Sequence, residues 1–428
     1  MIKNTEYNQS DVSADWSKGS PAISHFHRES GRMNWQLLLL TLADFIARTA
    51  YQMGKTPLLP LYAATLGADE IYLGFIASVS TMTGLFFKPL VGLLSDRHGR
   101  RLWLFIGTLF FIGMPFVYRF ITTPEQLVAV RLIHGLATAI YGPVSVTMVV
   151  ELSADNRARR IGIFSLGRTG GYIFGPALAG LFLLTRPPVE LFTIIGFLSL
   201  FALIPLFLLT ETKGAQLVEG RSKRSHKPPF WNQLKLGLGS AAFTPAVWLA
   251  GGFEAVNNMV TYTAKAFLPI YALSVGRNAL EAGLFFTVQQ SVTMLASPSL
   301  SWLSDRFQTM RVIGVAVCGL ATALVMLTFS NSVVVFFTAA VLLGLAEAII
   351  NPASTALVAA QIDQTNTGVG IGFVGSLENG SKIVGPILAG FLIAFAGYEF
   401  AFRAMAVGIL LVCLIVGWFI SDIKPKLG

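Results

Sequence analysis

Long apolar stretches, separated by short charged or turn-forming breaks, run through this 428-residue chain from Trp35 almost to its end. A helix needs about 20 apolar residues to cross the hydrocarbon core of a bilayer, and the breaks leave stretches of about that length. The pattern therefore predicts an all-α membrane protein with twelve transmembrane helices in two sets of six. The predicted spans are 35–62, 71–94, 102–121, 126–151, 161–184, 189–210, 241–273, 280–303, 312–330, 333–360, 369–396 and 400–420.

Polar segments define the rest of the organisation. We expect a cytoplasmic N-terminal tail at 1–34, which lacks the short basic stretch and cleavage site of a secretory signal. Two six-helix bundles at 35–210 and 241–421 are joined by a basic cytoplasmic linker at 211–240, and residues 422–428 form a C-terminal tail.

The charge distribution predicts the orientation of the chain. Only 12% of the residues are charged and 54% are hydrophobic, whereas soluble domains are about a quarter charged. Lys and Arg are concentrated in the loops after the second, fourth, sixth and eighth predicted spans, which by the positive-inside rule places both termini in the cytoplasm. This bias accounts for the net charge of +9 without a nucleic-acid partner. The expected partners are a lipid bilayer and a small-molecule or ion substrate; the oligomeric state stays open, and a monomer is compatible with the sequence.

The two halves are copies of each other. Leu59-Pro60-Leu61-Tyr62-Ala63 recurs as Leu268-Pro269-Ile270-Tyr271-Ala272, a shift of 209 residues, and the same shift takes Gly74 to Gly283. Gly175-Pro176 and Ala179-Gly180 recur as Gly385-Pro386 and Ala389-Gly390 at a shift of 210. Two parallel repeats of six helices predict a substrate site near the middle of the membrane, between the halves.

Three motifs resemble those of a known family. The stretch from Gly92 to Arg101, GLLSDRHGRR, resembles the signature loop between helices two and three of the major facilitator superfamily. Arg131-Leu132-Ile133-His134-Gly135 resembles the fourth-helix motif of its proton-coupled members. Gly162, Gly171, Gly175, Pro176 and Gly180 resemble the fifth-helix pattern of its drug:proton antiporter branch, with Ala179 in place of one glycine. The chain as a whole also resembles the magnetosome-membrane facilitators thought to carry iron.

The resemblance implies a cytoplasmic gate. Asp96 would contact the start of the eleventh helix in an outward-facing state, and Arg100 would pair with Glu151. Gly92 and Gly99 would allow close helix approach and a tight turn. The copy keeps Asp305 and Arg306 but lacks the glycine and the later arginines, so we expect a lopsided gate. For the arginines, a role in fixing topology alone is an equally good explanation.

Ionisable residues inside predicted spans are costly, so each needs a function or a partner. Asp44 with Arg48, and Glu378 with Lys382, stand four residues apart on one helix face, where mutual neutralisation and substrate binding are both possible. We assign as candidate substrate-binding residues Asp44, Arg48, Arg168, Asn258, Lys265, Gln289, Glu378 and Lys382. Arg168 indicates either an anionic ligand or a buried acid nearby.

Proton coupling requires a buried carboxylate whose charge state changes substrate affinity. Glu254 and Glu347 are the leading proton sites, with Arg131 and His134 on the fourth span as further candidates. His134 could instead make a purely structural hydrogen bond. The small residues Gly162, Gly171, Gly175 and Gly180 with Pro176, and Gly385 with Pro386, predict close helix packing.

The sequence thus predicts a secondary active transporter of the bacterial inner membrane, or of a membrane derived from it, working by alternating access. The leading hypothesis is proton-coupled antiport of a small amphipathic molecule, which amounts to efflux. One alternative is uptake of an organic anion, a metal chelate or a metal ion such as iron, in one version into a specialised organelle membrane. Another is a non-transporting membrane receptor or assembly partner. No enzyme motif, bound cofactor or resident metal site is expected, and a proton gradient is the energy source.

Overall fold

The computed structural model describes residues 35–153, 156–212, 245–307, 309–329, 331–361 and 367–422. Within these ranges the side chains of 246, 301–305, 359–361, 367–371 and 416–422 are not described. The described chain is helical, as an apolar chain in lipid must be when every backbone N–H and C=O has to find a partner within its own segment. The linker and both tails predicted from the sequence fall almost wholly outside the described residues.

Thirteen helices make up the described chain. They are α1 (Trp35–Lys55), α2 (Leu58–Thr65), α3 (Glu70–His98), α4 (Arg100–Val117), α5 (Pro124–Leu152), α6 (Arg157–Leu183), α7 (Pro188–Leu200), α8 (Leu203–Leu208), α9 (Pro245–Ser274), α10 (Ala279–Arg306), α11 (Thr309–Leu327), α12 (Val333–Gln361) and α13 (Thr367–Asp422). A 3-10 turn at Tyr118–Phe120 extends α4.

The helix boundaries match the twelve predicted spans to within a few residues. α1 and α2 together fill the first span and α7 and α8 the sixth, while α13 covers the last two, broken where Gly397 adopts a φ of +84°. Helix starts are set by caps: the Asp69 side chain accepts from the Tyr72 N–H at 2.7 Å at the start of α3.

Seven segments of the described chain are long and apolar enough to cross a membrane by length and composition. α1, α6, α9 and α10 are not among them. α1, α6 and α9 carry most of the charged residues that the sequence places inside spans, which lowers their mean hydropathy. The count of twelve membrane crossings therefore stays a prediction, although all twelve helical segments are present.

Equivalent helices of the two halves make equivalent contacts. α1 packs on α6 and α3 on α5 in the first half, as α9 packs on α13 and α10 on α12 in the second. The halves meet where α3 contacts α13 and α6 contacts α10. We call the end of the bundle that carries Gly99 and Arg157 the basic face, and the opposite end, where α3 and α10 begin, the far face.

Glycines of the internal repeat bring the two halves into backbone contact near the far face. A Cβ atom at any of four glycines would lie 2.3–2.6 Å from a carbonyl oxygen of the other half, so only glycine fits. The contacts are Gly74 with Pro386, Gly283 with Pro176, Gly180 with Ala279 and Gly390 with Glu70. The close packing predicted at Gly180 and Pro386 is thus an interface between the halves.

Two hydrogen bonds repeat the same symmetry. The Ser78 hydroxyl donates to the Ile383 carbonyl at 2.8 Å, and the Thr287 hydroxyl donates to the Ile173 carbonyl at 2.8 Å. Ser78 and Thr287 are equivalent positions of the two repeats. Because these contacts lie near the far face, the structure has the halves closed together at that end.

Candidate functional site

A cavity of about 560 Å³ lies between the halves, on the basic-face side of these contacts. Six of its lining residues are cationic, and none of the described residues that line it is Asp or Glu. The cations are Arg48, Lys55, Lys88, Arg168, Lys265 and Lys382. Tyr51, Tyr172 and Tyr262 supply aromatic surface beside them. The cavity is therefore suited to a ligand with negative charge and an aromatic or apolar part.

Asp44 holds two of these arginines in place. Arg168 donates to both Asp44 oxygens, at 2.9 and 3.1 Å, and to the Ser145 hydroxyl at 2.9 Å, while Arg48 lies 3.7 Å from Asp44. Asp44 is fully buried and does not line this cavity, so the cavity gives no support to its predicted contact with substrate, which stays a prediction. Of the two explanations offered for Arg168, an anionic ligand or a buried acid nearby, the structure supplies the acid, which is Asp44.

Lys55 and Lys265 have no Asp or Glu four residues away in the sequence. In the structure both lysines lie at the ring of Tyr262. The Nζ atoms of Lys55, Lys265 and Lys382 lie 4.5, 5.3 and 5.3 Å from the centroid of Tyr262. Lys55 comes from the first half and the other two lysines from the second. The ring of Tyr262 is thus surrounded by ammonium groups of both halves.

A second compartment of about 360 Å³ adjoins the first and contains the acids. It shares Arg168, Lys265 and Lys382 with the larger cavity and is also lined by Glu254, Glu347 and Glu378. Glu378 forms an ion pair with Lys382, as the sequence spacing allowed. The three glutamates therefore share a compartment with three of the six cations.

Glu254 and Glu347 have different surroundings. Glu347 accepts hydrogen bonds from the Gln289 amide and the Thr293 hydroxyl, both at 3.3 Å. Glu254 is 9% exposed, and no side chain in the described ranges donates to its carboxylate. Asn258 lines the same compartment and donates to the Glu254 backbone carbonyl at 2.9 Å. Gln289, by contrast, is buried and lines neither cavity, so its contact with a substrate stays a prediction that the cavities do not support.

Arg131 and His134 lie buried within the first half. His134 Nδ1 is 2.9 Å from the Tyr118 hydroxyl, and the His134 ring packs edge-on against Tyr51. Neither residue lines the two cavities. A role in proton coupling stays a prediction, and it would have to act through Tyr51, which does line the larger cavity.

Residues of the predicted gate lie together at the basic face. Arg100 donates to Glu151, with Nη2 at 3.2 Å, and to the Ser95 hydroxyl at 2.6 Å, and it pairs with Asp96. This is the Arg100–Glu151 pair that the resemblance implied. The expected contact of Asp96 with the start of the eleventh span involves side chains outside the described set, so it stays a prediction. The side chain of Asp305 also lies outside that set. Arg306 is exposed at the end of α10.

The gate also includes two residues that the sequence did not indicate. The Glu211 carboxylate accepts from the Arg100 and Arg101 N–H groups at 2.7 and 3.1 Å, and so caps the start of α4. Thr212 donates to the other oxygen of Glu151. Gly99, with a φ of +90°, makes the predicted tight turn directly against Glu211.

Some predicted close contacts are absent at the described positions. A Cβ at Gly92 or at Gly162 would meet nothing within 4 Å, so in this conformation neither glycine makes the close contact expected from the sequence. Gly171 and Gly175 do pack tightly, against Arg48 and Gln52 of α1, and Gly385 packs against Met259. The glycine-rich face of α6 thus holds α1 close and positions Arg48 beside the cavity.

Several cavity residues were missed from the sequence. Lys88 lies inside a predicted span and carries the same signal as Lys265, a charge among apolar residues. Tyr51, Tyr172 and Tyr262 gave no signal, because aromatic residues are common in spans. Within the described chain no three His, Cys, Asp or Glu side chains lie close enough together to hold a metal ion.

Two repeated helical halves around a polar central cavity define a membrane transporter. The chain belongs to the Major Facilitator Superfamily, whose sequence model matches residues 37–271 and 247–428. It is an integral, multi-pass membrane protein and not an enzyme, and it resembles the drug:proton antiporter branch of that superfamily.

Individual relatives and a solved structure are similar to the chain over most of its length. An uncharacterised MFS-type transporter of Methanocaldococcus jannaschii is 23% identical, covering 83% of this chain and 92% of the relative. A multi-drug resistance efflux pump PmrA homolog of Lactococcus lactis is 23% identical, covering 88% and 92%. The crystal structure of the nucleoside transporter NupG matches the fold with a TM-score of 0.78 at 14% identity, covering 92% of this chain and all of NupG.

Proposed function

We propose that the protein exports a small amphipathic organic anion in exchange for protons. The observation that carries this proposal is the cavity lined by six cations and no described acid, with three tyrosines beside them. Cations inside a membrane protein are costly unless a partner neutralises them, and Asp44 and Glu378 neutralise only part of the set. An organic anion supplies the missing charge, and its apolar part packs on the tyrosine rings.

The direction of transport rests on orientation and on relatives. The Lys and Arg bias favours a cytoplasmic position for the basic face and both termini. In that orientation, a cavity on the basic-face side of the closed contacts would receive its ligand from the cytoplasm. The similarity to a multi-drug efflux pump supports export as well. Rocking of the halves about the repeat interface would then expose the cavity at the far face.

Glu254 is the proposed proton carrier, with Glu347 beside it. Glu254 has no hydrogen-bond donor on its carboxylate among the described residues, and it shares a compartment with Glu378, Arg168, Lys265 and Lys382. A proton on Glu254 therefore changes the net charge of the compartment that Arg168, Lys265 and Lys382 also line.

A second candidate function is proton-coupled uptake of the same class of anion. The observation that favours it is the shared lining of the two compartments: neutralising a glutamate there makes the site more positive and strengthens anion binding. A proton and an anion that favour each other's binding would move together in one direction, which is symport.

Accumulation in inside-out membrane vesicles tests the proposed function. The probes are benzenesulfonate and phenyl phosphate, an organic monoanion and an organic dianion. With the membrane potential clamped by valinomycin and potassium, an acid interior should drive protein-dependent accumulation of at least one probe, and a protonophore should abolish it. Accumulation of neither probe would overturn antiport, and probe loss from preloaded vesicles under the same gradient would favour uptake in the cell.

A further inference from the structure

In the described part of the chain, some of the six cavity cations have an acidic partner and others have none. Arg48 and Arg168 share Asp44, and Lys382 pairs with Glu378. Lys55 and Lys265 form no ion pair and no side-chain hydrogen bond with any described residue, although their ammonium groups face the same Tyr262 ring at 4.5 and 5.3 Å. Two cations of the cavity thus have no ion-pair partner among the described residues, and both lie at one ring.

Tyr262 does not balance these charges. The face of an aromatic ring attracts a cation weakly, and three ammonium groups around one ring repel each other. Glu254 and Glu347 line the adjoining compartment, but neither forms an ion pair with Lys55 or Lys265. In a membrane interior such a cluster indicates a missing anion.

The cluster also joins the two halves. Lys55 ends α1 in the first half, whereas Lys265 and Tyr262 lie one turn apart on α9 in the second half. The three side chains line the larger cavity, as Arg168 and Tyr172 do. An anion held there would contact both halves at once.

We propose that Lys55 and Lys265 form the head-group site of the transported ligand, and that this head group is a dianion such as a phosphate monoester or two adjacent carboxylates. Two unpaired ammonium groups match two negative charges, and Lys382 supplies a third donor next to them. The Tyr262 ring fixes the positions of the ammonium groups, and Tyr51 and Tyr172 contact the organic part. This inference rests on the proposed function for its statement that the ligand is transported.

Equilibrium binding to the purified full-length protein in detergent tests the site without any proton gradient. The probes are phenyl phosphate, phthalate and benzenesulfonate at pH 8, where a phosphate monoester carries two charges. The dianions should bind about tenfold more tightly than the monoanion, since one added charge-assisted contact contributes about a factor of ten. Lys55→Gln and Lys265→Gln should each remove this preference, and Lys55→Arg should retain it.

The control is Arg186→Gln, which removes a cation that is exposed and paired with Glu190 outside the cavity. It should leave all three affinities unchanged. Retained benzenesulfonate binding shows that each lysine variant is folded. Equal affinities for monoanion and dianions in the wild type, or an unchanged preference in both lysine variants, would overturn the proposal.

These outcomes are separate from those of the transport proposal. If the dianion preference holds but a proton gradient moves no probe, the head-group site stands and proton-coupled export fails. If proton-driven accumulation of phenyl phosphate is unaffected by Lys55→Gln and Lys265→Gln, export stands and the dianion site fails.

Discussion

The ammonium group of Lys55 lies 4.5 Å from the centroid of the Tyr262 ring, and this contact connects the first half of the protein with the second. Lys55 and Tyr262 are 207 residues apart in the chain, and the repeat brings their helices to opposite sides of one cavity. In most packed interfaces between helices the contacts are apolar or of small residues. A cation and a ring at this position, close to two further lysines, indicate a binding surface.

Loss of the Asp44 carboxylate should destabilise the first half. Asp44→Asn leaves Arg48 and Arg168 without their shared counter-ion, and removal of one partner of a buried pair costs about 3–5 kcal/mol. Ser145→Ala, the control, removes one neutral partner of Arg168 and should cost about 1 kcal/mol. The thermal unfolding midpoint in detergent measures both. Similar midpoints for the two variants would contradict the role of Asp44 as the anchor of both arginines.

Closure at the far face should depend on the repeat glycines. Gly283→Ala places a Cβ about 2.3 Å from the Pro176 carbonyl oxygen and should push the halves apart there. Gly319→Ala in α11, where nothing lies within 4 Å, is the matched control. In a background without the two native cysteines, Tyr172→Cys should react faster with a membrane-impermeant reagent from the far face in Gly283→Ala than in Gly319→Ala. Equal rates would show that this contact does not hold the face closed.

The Asp96 carboxylate should affect transport more than stability. Its side chain is half exposed, so its pair with Arg100 contributes at most about 1 kcal/mol to folding. If the pair instead balances two conformations, Asp96→Asn should change the transport rate on the order of fivefold or more. Glu190→Gln breaks a comparable exposed pair with Arg186 and should change neither quantity. A transport rate like that of wild type in Asp96→Asn would remove the gate hypothesis.

Glu254 should carry the proton without being required for binding. Glu254→Gln should abolish proton movement coupled to the organic anion, while equilibrium binding of phenyl phosphate persists, because glutamine keeps the size of the side chain and cannot be ionised. Glu399→Gln, which alters an exposed acid paired with Arg403, is the control. Proton movement that survives in Glu254→Gln but stops in Glu347→Gln would transfer the assignment to Glu347.

Most of the fold could be predicted from the sequence because lipid leaves a chain few choices. Unsatisfied backbone groups are so costly in hydrocarbon that apolar stretches of sufficient length become helices, and breaks such as Gly99 and Gly397 mark their ends. The repeat of Gly74 as Gly283 identified an equivalent position in each half. That both glycines lie in the interface between the halves required the structure, since the sequence does not show which faces meet.

The site was predicted only in part. Arg48, Lys265 and Lys382 were singled out as charges inside spans, and all three line the cavity, because a charge in that position needs a polar surface. Pairing within one helix, as in Glu378 with Lys382, follows from a spacing of four residues. The pairing of Asp44 with Arg168, 124 residues apart, depends on how α1 packs on α6, and no local pattern contains that information.

The movement of protons during anion efflux tests the central claim most directly. Proteoliposomes loaded with phenyl phosphate and a trapped pH-sensitive dye are diluted into medium without phenyl phosphate, with the membrane potential clamped. Export in exchange for protons predicts that the interior acidifies as the anion leaves, that Glu254→Gln prevents this change, and that Lys55→Gln slows it. An interior that becomes alkaline would mean that proton and anion move together, and an unchanged internal pH during phenyl phosphate efflux would contradict proton coupling altogether.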